Sequence, residues 1–351
     1  MDASTGQVLF AKNEHVRMFP ASTTKILTAL LLAEGTKPYD EIRAPLDVET
    51  IEGSSLYLAP AERIRAEDLV YALLMRSAND GAHAAAVHLA GSDAEFAEKM
   101  NERAAQIGCK DSHFANPHGL HDPNHYTSAY DMALIAREAM KNDLIRAAAK
   151  CQRRTIWRST NLEDTLLSNK NRLLREDADA IGLKTGYTSA AGHCFVGVTN
   201  RDGWELITVV FKSEDWVKDT QALYQYAYRE FERQTIVRKG DLIGTAEILD
   251  GERGTVPVVA GADVVGAMRP GRGPTAVELE CGAVSAPIRE GQEIGRLRVT
   301  LPDGFVVEAP ALASEGVAVR PKHEPAQWAA FSFGGLLMGV GVVILLRARY
   351  G

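Results

Sequence analysis

Hydrophobic residues recur every three or four positions in several stretches of the first 232 residues, a spacing typical of amphipathic helices. Between residues 23 and 33 the apolar face consists of Ile26, Leu27, Leu30 and Leu31. The other predicted helices cover residues 67–74, 80–89, 93–107, 129–141 and 220–231. Alternating patterns predict strands at 7–11, 192–199 and 204–211. The first 232 residues are therefore predicted to form a domain of mixed helices and strands.

The pattern changes near residue 234, where short alternating runs separated by glycine and proline turns replace the helical spacing. These runs lie at 242–249, 256–259, 276–281, 294–301 and 305–308. They predict a small all-β domain over residues 233–320. A proline-containing linker is predicted at 321–326.

Residues 327–346 contain no charged side chain. At about 1.5 Å per helical residue this stretch is roughly 30 Å long, enough to cross the core of a bilayer. Trp328 at one end, and Arg347 and Arg349 beyond the other, suit the two membrane interfaces. We expect a transmembrane anchor at the cell membrane, with a short cytoplasmic tail and the domains outside; a buried core helix is the alternative.

The first residues raise a separate question about export. A domain outside the membrane needs an export signal, and the sequence after Met1 has no basic segment followed by an apolar one. The expectation is that the export signal is missing from this sequence and that Met1 is an internal methionine.

Composition narrows the classes of function. The 351 residues include 39 lysines and arginines against 46 acidic residues, a net charge of −7. Nucleic acid is therefore not expected as a partner, because phosphate binding needs a basic surface. Four cysteines without a C-x-x-C pair are too few for a disulfide scaffold. A hydrophobic fraction of 46% excludes a wholly disordered chain.

The first chemical motif is Ser22-Thr23-Thr24-Lys25, an S-x-x-K at the start of a predicted helix. Positions three apart share a helix face, so the Lys25 amine can reach the Ser22 hydroxyl. A desolvated lysine loses its proton near neutral pH and can act as a general base toward a serine nucleophile. Taken alone, the motif more often marks a helix-capping serine followed by an exposed lysine.

Two further motifs follow along the chain. Ser77-Ala78-Asn79 lies between two predicted helices, where a hydroxyl and an amide could relay a proton and bind a substrate amide. Lys184-Thr185-Gly186 comes just before the predicted strand at 192–199, and its lysine and threonine could bind a carboxylate. Helix capping and an ordinary turn into a strand are the structural alternatives for these two motifs.

The order and settings of the three motifs match the set shared by active-site-serine penicillin-recognising enzymes. The chain resembles D-alanyl-D-alanine carboxypeptidases, the low-molecular-mass penicillin-binding proteins of serine peptidase family S11. The matching segments are residues 20–30, 74–82, 114–122, 126–133 and 182–192. The resemblance implies a penicillin-binding, β-lactamase-like transpeptidase domain of the α+β or α/β class. Its antiparallel sheet is flanked by helices, and a small all-β domain and a membrane helix follow.

The resemblance also implies a catalytic group and a substrate. Ser22 would attack the carbonyl between the two terminal D-alanines of the peptidoglycan pentapeptide, and Lys25 would take its proton. Ser77 would relay a proton to the departing D-alanine. No cofactor and no metal are implied, and β-lactam antibiotics would inhibit the enzyme by acylating Ser22.

The remaining residues of the site would bind the substrate. Asn79 would hold the peptide, and Lys184 would orient Ser77 and attract the substrate carboxylate with the help of Thr185. The backbone N–H groups of Ser22 and Tyr187 would form the oxyanion hole.

The sequence departs from the family pattern in two places. In the family, a strand and a signal peptide normally precede the segment that begins here at Met1. The family often has an arginine where Trp216 aligns, so the partner of the substrate carboxylate is open. Lys212 and Lys218 are nearby candidates.

Four histidines fall within 13 residues, at His113, His118, His121 and His125. Their spacing resembles that of zinc ligands. We favour a loop whose histidines cap and pack, because the segment matches a family that works without metal.

Two other functions remain as alternatives. One is a β-lactamase-like hydrolase, although no convincing E-x-x-L-N segment lies between Ser77 and Lys184 to activate the deacylating water. The other is an inactive wall-binding scaffold, and the three intact motifs argue against it.

Overall fold

A computed structural model gives the structure of the protein and describes residues 1–321. The helices are α1 (Lys25–Gly35), α2 (Ala66–Tyr71), α3 (Asn79–Ala90), α4 (Asp93–Ile107), α5 (Ala129–Ala139), α6 (Asp143–Lys150), α7 (Leu173–Glu176) and α8 (Trp216–Glu230). The strands of the first domain are β1 (Glu41–Arg43), β2 (Arg63–Arg65), β3 (Arg153–Thr155), β4 (Leu166–Ser168), β5 (Ala180–Thr188), β6 (Gly192–Arg201) and β7 (Trp204–Ser213). The strands that follow are β8 (Glu232–Val237), β9 (Leu242–Leu249), β10 (Thr255–Ala260), β11 (Val264–Met268), β12 (Ala276–Glu280), β13 (Val284–Ser285), β14 (Glu293–Thr300) and β15 (Val306–Ala313).

The core of the first domain forms around α1. This helix is apolar on most of its surface, and Ile26, Leu27 and Leu32 are fully buried. Helices α2 to α6 surround α1, and the antiparallel sheet β5–β6–β7 packs against α1, α5 and α6. Helix α8 covers β6 and β7. The buried α1 thus places its N-terminal residues against the edge strand β5, where the site is found.

Side-chain caps explain why several helices begin where the sequence predicts. Ser92 accepts a hydrogen bond from Glu95 N, and Ser128 accepts one from Asp131 N, at the starts of α4 and α5. Gly108 adopts a left-handed conformation that ends α4. The bounds of α4 agree with the predicted 93–107, and α1, α3, α5 and α8 lie within a few residues of their predicted positions.

The second domain is built from β-strands, as predicted. A six-stranded sheet has the order β12–β14–β15–β10–β9–β13, and β8 pairs with β11 in a separate ribbon. The side chain of Gln7 joins the two domains: its Nε2 donates to Ala267 O (2.8 Å) and its Oε1 accepts from Ala267 N (2.9 Å). A single amide thereby satisfies both backbone groups of a β11 residue, as a neighbouring strand would.

The structure departs from the sequence predictions in several places. The predicted strand at 7–11 is wrong, because these residues pair with no neighbouring strand; Gln7 directs its side chain to the second domain, and Asp2 makes an isolated bridge to Leu206. Lys184-Thr185-Gly186 comes just before the strand at 192, as predicted, but it lies within a strand of its own, β5, which was not predicted and which excludes the alternative of an ordinary turn. Helix α6 was not predicted, because its eight residues give too short a periodic pattern.

No helix within residues 1–321 is long and apolar enough to cross a membrane. The predicted membrane segment at 327–346 lies outside the described residues, as does all but the first residue of the predicted linker at 321–326.

A buried histidine joins three parts of the helical region. His83 on α3 places Nδ1 at 2.7 Å from Asp93 Oδ1 and Nε2 at 3.2 Å from Asp47 Oδ1, and His118 Nε2 lies 3.8 Å from the other oxygen of Asp93. Because both ring nitrogens of His83 face carboxylates, only its protonated form satisfies both contacts. The hydrogen bond to Asp93 in particular raises the pKa of His83 above its ordinary 6.5.

This contact predicts a pH-dependent contribution to stability. A raised folded-state pKa stabilises the protein fully below the unfolded value of 6.5, and this stabilisation is lost as pH rises through the folded value. We expect His83→Asn to lower the free energy of unfolding in urea more at about pH 5.5 than at about pH 9. A loss of equal size at both pH values would contradict a charged His83.

Candidate active site

The nucleophile candidate Ser22 lies in a tight 3₁₀ turn, Ala21–Thr24, directly before α1. Side chains hold this turn: Thr23 Oγ1 donates to Pro20 O (2.7 Å) and Thr24 Oγ1 donates to Ala21 O (2.8 Å). Ala21 has a φ of +49°, a left-handed conformation that L-residues rarely adopt. Ser22 itself is partly exposed. The turn therefore fixes its backbone and leaves its hydroxyl accessible.

Lys25 is fully buried and faces three polar atoms. Its Nζ lies 3.1 Å from Ser22 Oγ, 2.6 Å from Asn79 Oδ1 and 2.6 Å from the carbonyl oxygen of His118. Burial is the main reason that the Lys25 pKa lies well below its ordinary 10.5, and the charge of Lys184 lowers it further. The predicted approach of Lys25 to Ser22 is therefore present, with two acceptors that the sequence analysis did not identify.

Two glycines allow other segments to approach the nucleophile turn closely. A Cβ on Gly119 would lie 1.9 Å from Ala21 O, and one on Gly186 would lie 3.0 Å from Ser22 N. Gly119 also has a φ of +81°. No larger side chain fits at Gly119 without moving the turn, and Gly186 brings the β5 backbone beside the Ser22 amide.

The second motif follows a π-helical turn, Ala72–Arg76, at the end of α2. Ser77 is left-handed (φ +66°) and buried, and Asn79 begins α3. The Asn79 amide is engaged at both ends, because Oδ1 accepts from Lys25 Nζ and Nδ2 donates to Glu52 O (2.6 Å). These contacts favour a role in positioning Lys25 over direct contact with the substrate peptide.

The third motif lines the edge of the sheet. Lys184 is buried, and its Nζ donates to Thr185 O (2.8 Å). Within the described residues no hydrogen bond joins Lys184 to Ser77, so the predicted orientation of Ser77 is not made through that contact. Burial lowers the pKa of Lys184 to about 7, and Lys170 adds to this effect. Tyr187, two residues along β5 from Thr185, is 61% exposed.

The structure adds Lys170 and Asp80 to the predicted set. Lys170 Nζ donates to Ser54 Oγ (2.9 Å), and its charge lowers the pKa of both Lys25 and Lys184. Asp80 accepts from Leu56 N (2.9 Å) and thus fixes the loop beside Asn79. Lys170 carries no local sequence signal, whereas the position of Asp80 directly after Asn79 could have indicated its role.

The sequence leaves the partner of the substrate carboxylate open, and the structure shows which side chains surround Trp216. Trp216 packs on Phe195, with ring centroids 4.4 Å apart, and the Arg172 guanidinium lies 5.6 Å from the Trp216 ring centre. Phe195 pairs with Thr185 across β5 and β6. Lys212 and Lys218 are exposed. A cation thus stands over Trp216, supplied by a residue the sequence analysis did not consider.

The histidines of the 113–125 segment make structural contacts. His125 Nδ1 accepts from Ala115 N (3.0 Å), so its Nε2 carries the proton and donates to Thr24 Oγ1 (2.8 Å). Burial lowers the pKa of His125 to about 4 and that of His118 to about 3. Residues 1–321 contain no group of three histidine, cysteine or acidic side chains placed to hold a metal. His125 therefore supports the nucleophile turn.

Comparisons with known proteins agree with this arrangement. A sequence profile described as D-alanyl-D-alanine carboxypeptidase, peptidase S11, matches residues 1–215, and one described as the C-terminal domain of penicillin-binding protein 5 matches residues 231–319. The D-alanyl-D-alanine carboxypeptidase DacF of Bacillus subtilis is 29% identical over 90% of this chain and 84% of its own.

Solved structures agree over both domains. Penicillin-binding protein 5 from Haemophilus influenzae superposes with a TM-score of 0.76 at 27% identity, over 91% of this chain and 96% of its own. The peptidoglycan synthesis regulatory factor (PBP3) from Streptococcus pneumoniae gives the same TM-score at 25% identity, over 90% of this chain and 97% of its own. With one profile covering more than half of its length, the chain belongs to the peptidase S11 family of D-alanyl-D-alanine carboxypeptidases.

Proposed function

We propose that the protein is a serine-type carboxypeptidase that removes the terminal D-alanine of peptidoglycan pentapeptides through an acyl-enzyme on Ser22, and that β-lactams acylate the same serine. The observation that carries this proposal is the buried Lys25 amine 3.1 Å from Ser22 Oγ. Family membership supports the substrate class.

Burial, which lowers the pKa of Lys25 well below its ordinary value, favours the neutral amine. An uncharged amine has two N–H donors and one lone pair. In the neutral form Asn79 Oδ1 and His118 O would accept the two N–H groups, both at 2.6 Å, and the lone pair would be free to accept the proton of the Ser22 hydroxyl 3.1 Å away. In acylation the Ser22 O–H proton would pass to Lys25 Nζ as Oγ bonds to the scissile carbonyl carbon.

The tetrahedral intermediate would then collapse toward the leaving group. Its oxyanion would be held by the backbone N–H groups of Ser22 and Tyr187; in support, Gly186, which directly precedes Tyr187, lies beside the Ser22 amide. The C–N bond breaks, and Ser77 would relay the proton from Lys25 to the departing D-alanine nitrogen. Water would cleave the ester in the reverse sense and restore the Ser22 hydroxyl.

Substrate binding would use the positive edge of the cleft. Lys184 and Thr185 on β5 would attract the terminal carboxylate of the pentapeptide. We assign Asn79 to positioning, since its amide is already engaged with Lys25 and Glu52.

We also propose that the protein is anchored in the cell membrane by residues 327–346, with both domains outside. The support is the charge-free length of this segment, with Trp328 before its apolar core and Arg347 after it.

Replacing the nucleophile tests the mechanism. We expect Ser22→Ala to reduce D-alanine release from the pentapeptide by roughly a thousandfold or more, because the acyl-enzyme no longer forms. Mass spectrometry should detect a long-lived penicillin adduct on the wild type and none on Ser22→Ala. Ser285→Ala, on the second domain, is the control and should behave as the wild type.

Two results would contradict this mechanism. Equal release by the wild type and Ser22→Ala would exclude Ser22 as the nucleophile. Rapid penicillin turnover without an adduct would favour the β-lactamase alternative.

The two buried lysines predict a bell-shaped pH profile of kcat/KM. Activity should rise as Lys25 loses its proton, and fall as pH rises through about 7, where Lys184 loses the charge that attracts the carboxylate. Bound substrate carboxylate favours charged Lys184, so the alkaline limb of kcat should lie at higher pH than that of kcat/KM.

A substitution separates the two limbs. Lys184→Arg keeps its charge over the whole range, so its alkaline limb should disappear even if the overall rate falls. Lys218→Arg is the matched control and should keep both limbs. An unchanged alkaline limb in Lys184→Arg would show that another group causes it.

The membrane proposal has its own test. We expect the chain of 351 residues to sediment with phospholipid vesicles and to need detergent for release, whereas a chain ending at residue 326 should stay in the supernatant. Equal distribution of the two chains would contradict an anchor at 327–346.

A further inference from the structure

The loop of residues 54–58 lies beside the second motif, and its backbone is fixed from two sides. Asp80 provides the first side: its carboxylate accepts from Leu56 N (2.9 Å), Leu58 N (3.0 Å) and Ser55 Oγ (2.7 Å). Asp80 directly follows Asn79 at the start of α3, so the loop is attached to the helix that carries the site.

Arg158 holds the same loop from the opposite side. Its guanidinium donates to Leu56 O (3.1 Å) and Tyr57 O (3.2 Å), and it is paired with the buried Glu62 at 2.6 Å. Both side chains of this ion pair are fully buried. A buried pair whose remaining donors bind backbone carbonyls is costly to disturb, so the loop has one well-defined conformation.

This fixed loop presents an exposed aromatic ring. Tyr57 is 69% exposed and has a φ of +58°. A left-handed conformation is unfavourable for a residue with a Cβ, and the exposed ring offsets little of this cost through burial. Such strain is maintained by the surroundings and is concentrated at binding and catalytic sites.

The loop that carries this ring borders the second motif, and residues 54–58 are called the rim of the site below. Ser54 O accepts from Asn79 N (2.7 Å), which places the loop against the second motif. The Arg76 guanidinium lies 5.7 Å from the Tyr57 ring centre, and Arg76 directly precedes Ser77. Lys170 donates to Ser54 Oγ at the other end of the loop. One cation therefore lies against the exposed ring, and a second contacts the same loop at Ser54.

The charges at this rim are only partly neutralised. Arg76 pairs with Asp164 at 2.9 Å. Lys170 donates to a neutral hydroxyl, and burial together with the charge of Arg76 lowers its pKa. The rim therefore combines an apolar ring face with an amine, Lys170, that pairs with no carboxylate among the described residues, and this suits a peptide that carries a free carboxylate.

We infer that Tyr57, together with Arg76 and Lys170, forms a subsite for the stem-peptide residues that precede the two terminal D-alanines, including an acidic residue. This inference rests on the proposed carboxypeptidase function. The terminal D-alanines reach Ser22, whereas the preceding residues extend out of the cleft and cross its rim. The Tyr57 ring packs on this part of the peptide, and the cations attract its carboxylate.

The test compares two substrates of different length. One is N-acetyl-D-alanyl-D-alanine, and the other is a stem pentapeptide whose third residue carries a free carboxylate. The measured quantity is the ratio of kcat/KM for the pentapeptide to kcat/KM for the short substrate. We expect Tyr57→Ala to lower this ratio by roughly three- to tenfold, the range of a lost aromatic contact.

Matched variants separate binding from folding. Tyr39→Ala removes another exposed tyrosine that lies beside an arginine, Arg65, and should leave the ratio unchanged. Tyr57→Phe should also keep the ratio, because the ring face makes the contact. Tyr57→Asn tolerates the left-handed backbone and should reproduce the alanine result if the alanine variant folds poorly.

Two results would contradict the proposed subsite. An unchanged ratio in Tyr57→Ala and Tyr57→Asn, or an equal loss with both substrates, would overturn it. Amidating the third-residue carboxylate should lower the wild-type ratio, and equal ratios would overturn the electrostatic part. If the wild type cleaves neither substrate, the proposed function itself fails.

Discussion

The desolvation of the Lys25 amine is the constraint on which the rest of the site depends. A buried ammonium is unfavourable unless paired with a carboxylate, and the two closest acceptors of Lys25 are a neutral amide and a backbone carbonyl. These partners stabilise the neutral amine. The Lys25 lone pair can therefore point at Ser22 only if three parts of the chain are held in place. These are the loop around Glu52, the start of α3 and the carbonyl of His118. Many of the tight contacts near the site serve this geometry.

Other parts of the structure hold those partners. His83 joins the 47–50 segment to α4, and Asp80 and Arg158 fix the next loop from opposite sides. His125 supports Thr24 within the nucleophile turn. Each of these is a buried polar side chain whose loss would leave unsatisfied partners. In the helical half of the first domain, buried polar contacts therefore hold the segments around the site in place, beside an apolar core.

The sequence allowed most of the longer helices, the second domain and the three motifs to be predicted because each has a local signal. The period of α1 and the S-x-x-K spacing are visible within a few residues. The strand setting of Lys184 was missed, because strand β5 is interrupted by polar and small residues and is recognisable only through its pairing with β6. Lys170 and Arg172 approach the site through tertiary packing, and the carbonyl partner of Lys25 is a backbone atom. Such contacts leave no residue-level pattern.

The two glycines at the nucleophile turn also limit how the site can respond to acylation. Gly119 and Gly186 bring backbone against two sides of the turn, and Lys25 fills the space beneath it. The ester on Ser22 therefore cannot retreat into the protein, and the hydrolytic water has to approach from the exposed side of the cleft. A departing D-alanine vacates that side. When a β-lactam ring opens, its nitrogen stays covalently linked to the acyl group and continues to obstruct the exposed side of the cleft. The lifetime of the adduct then depends on how easily water can reach the ester.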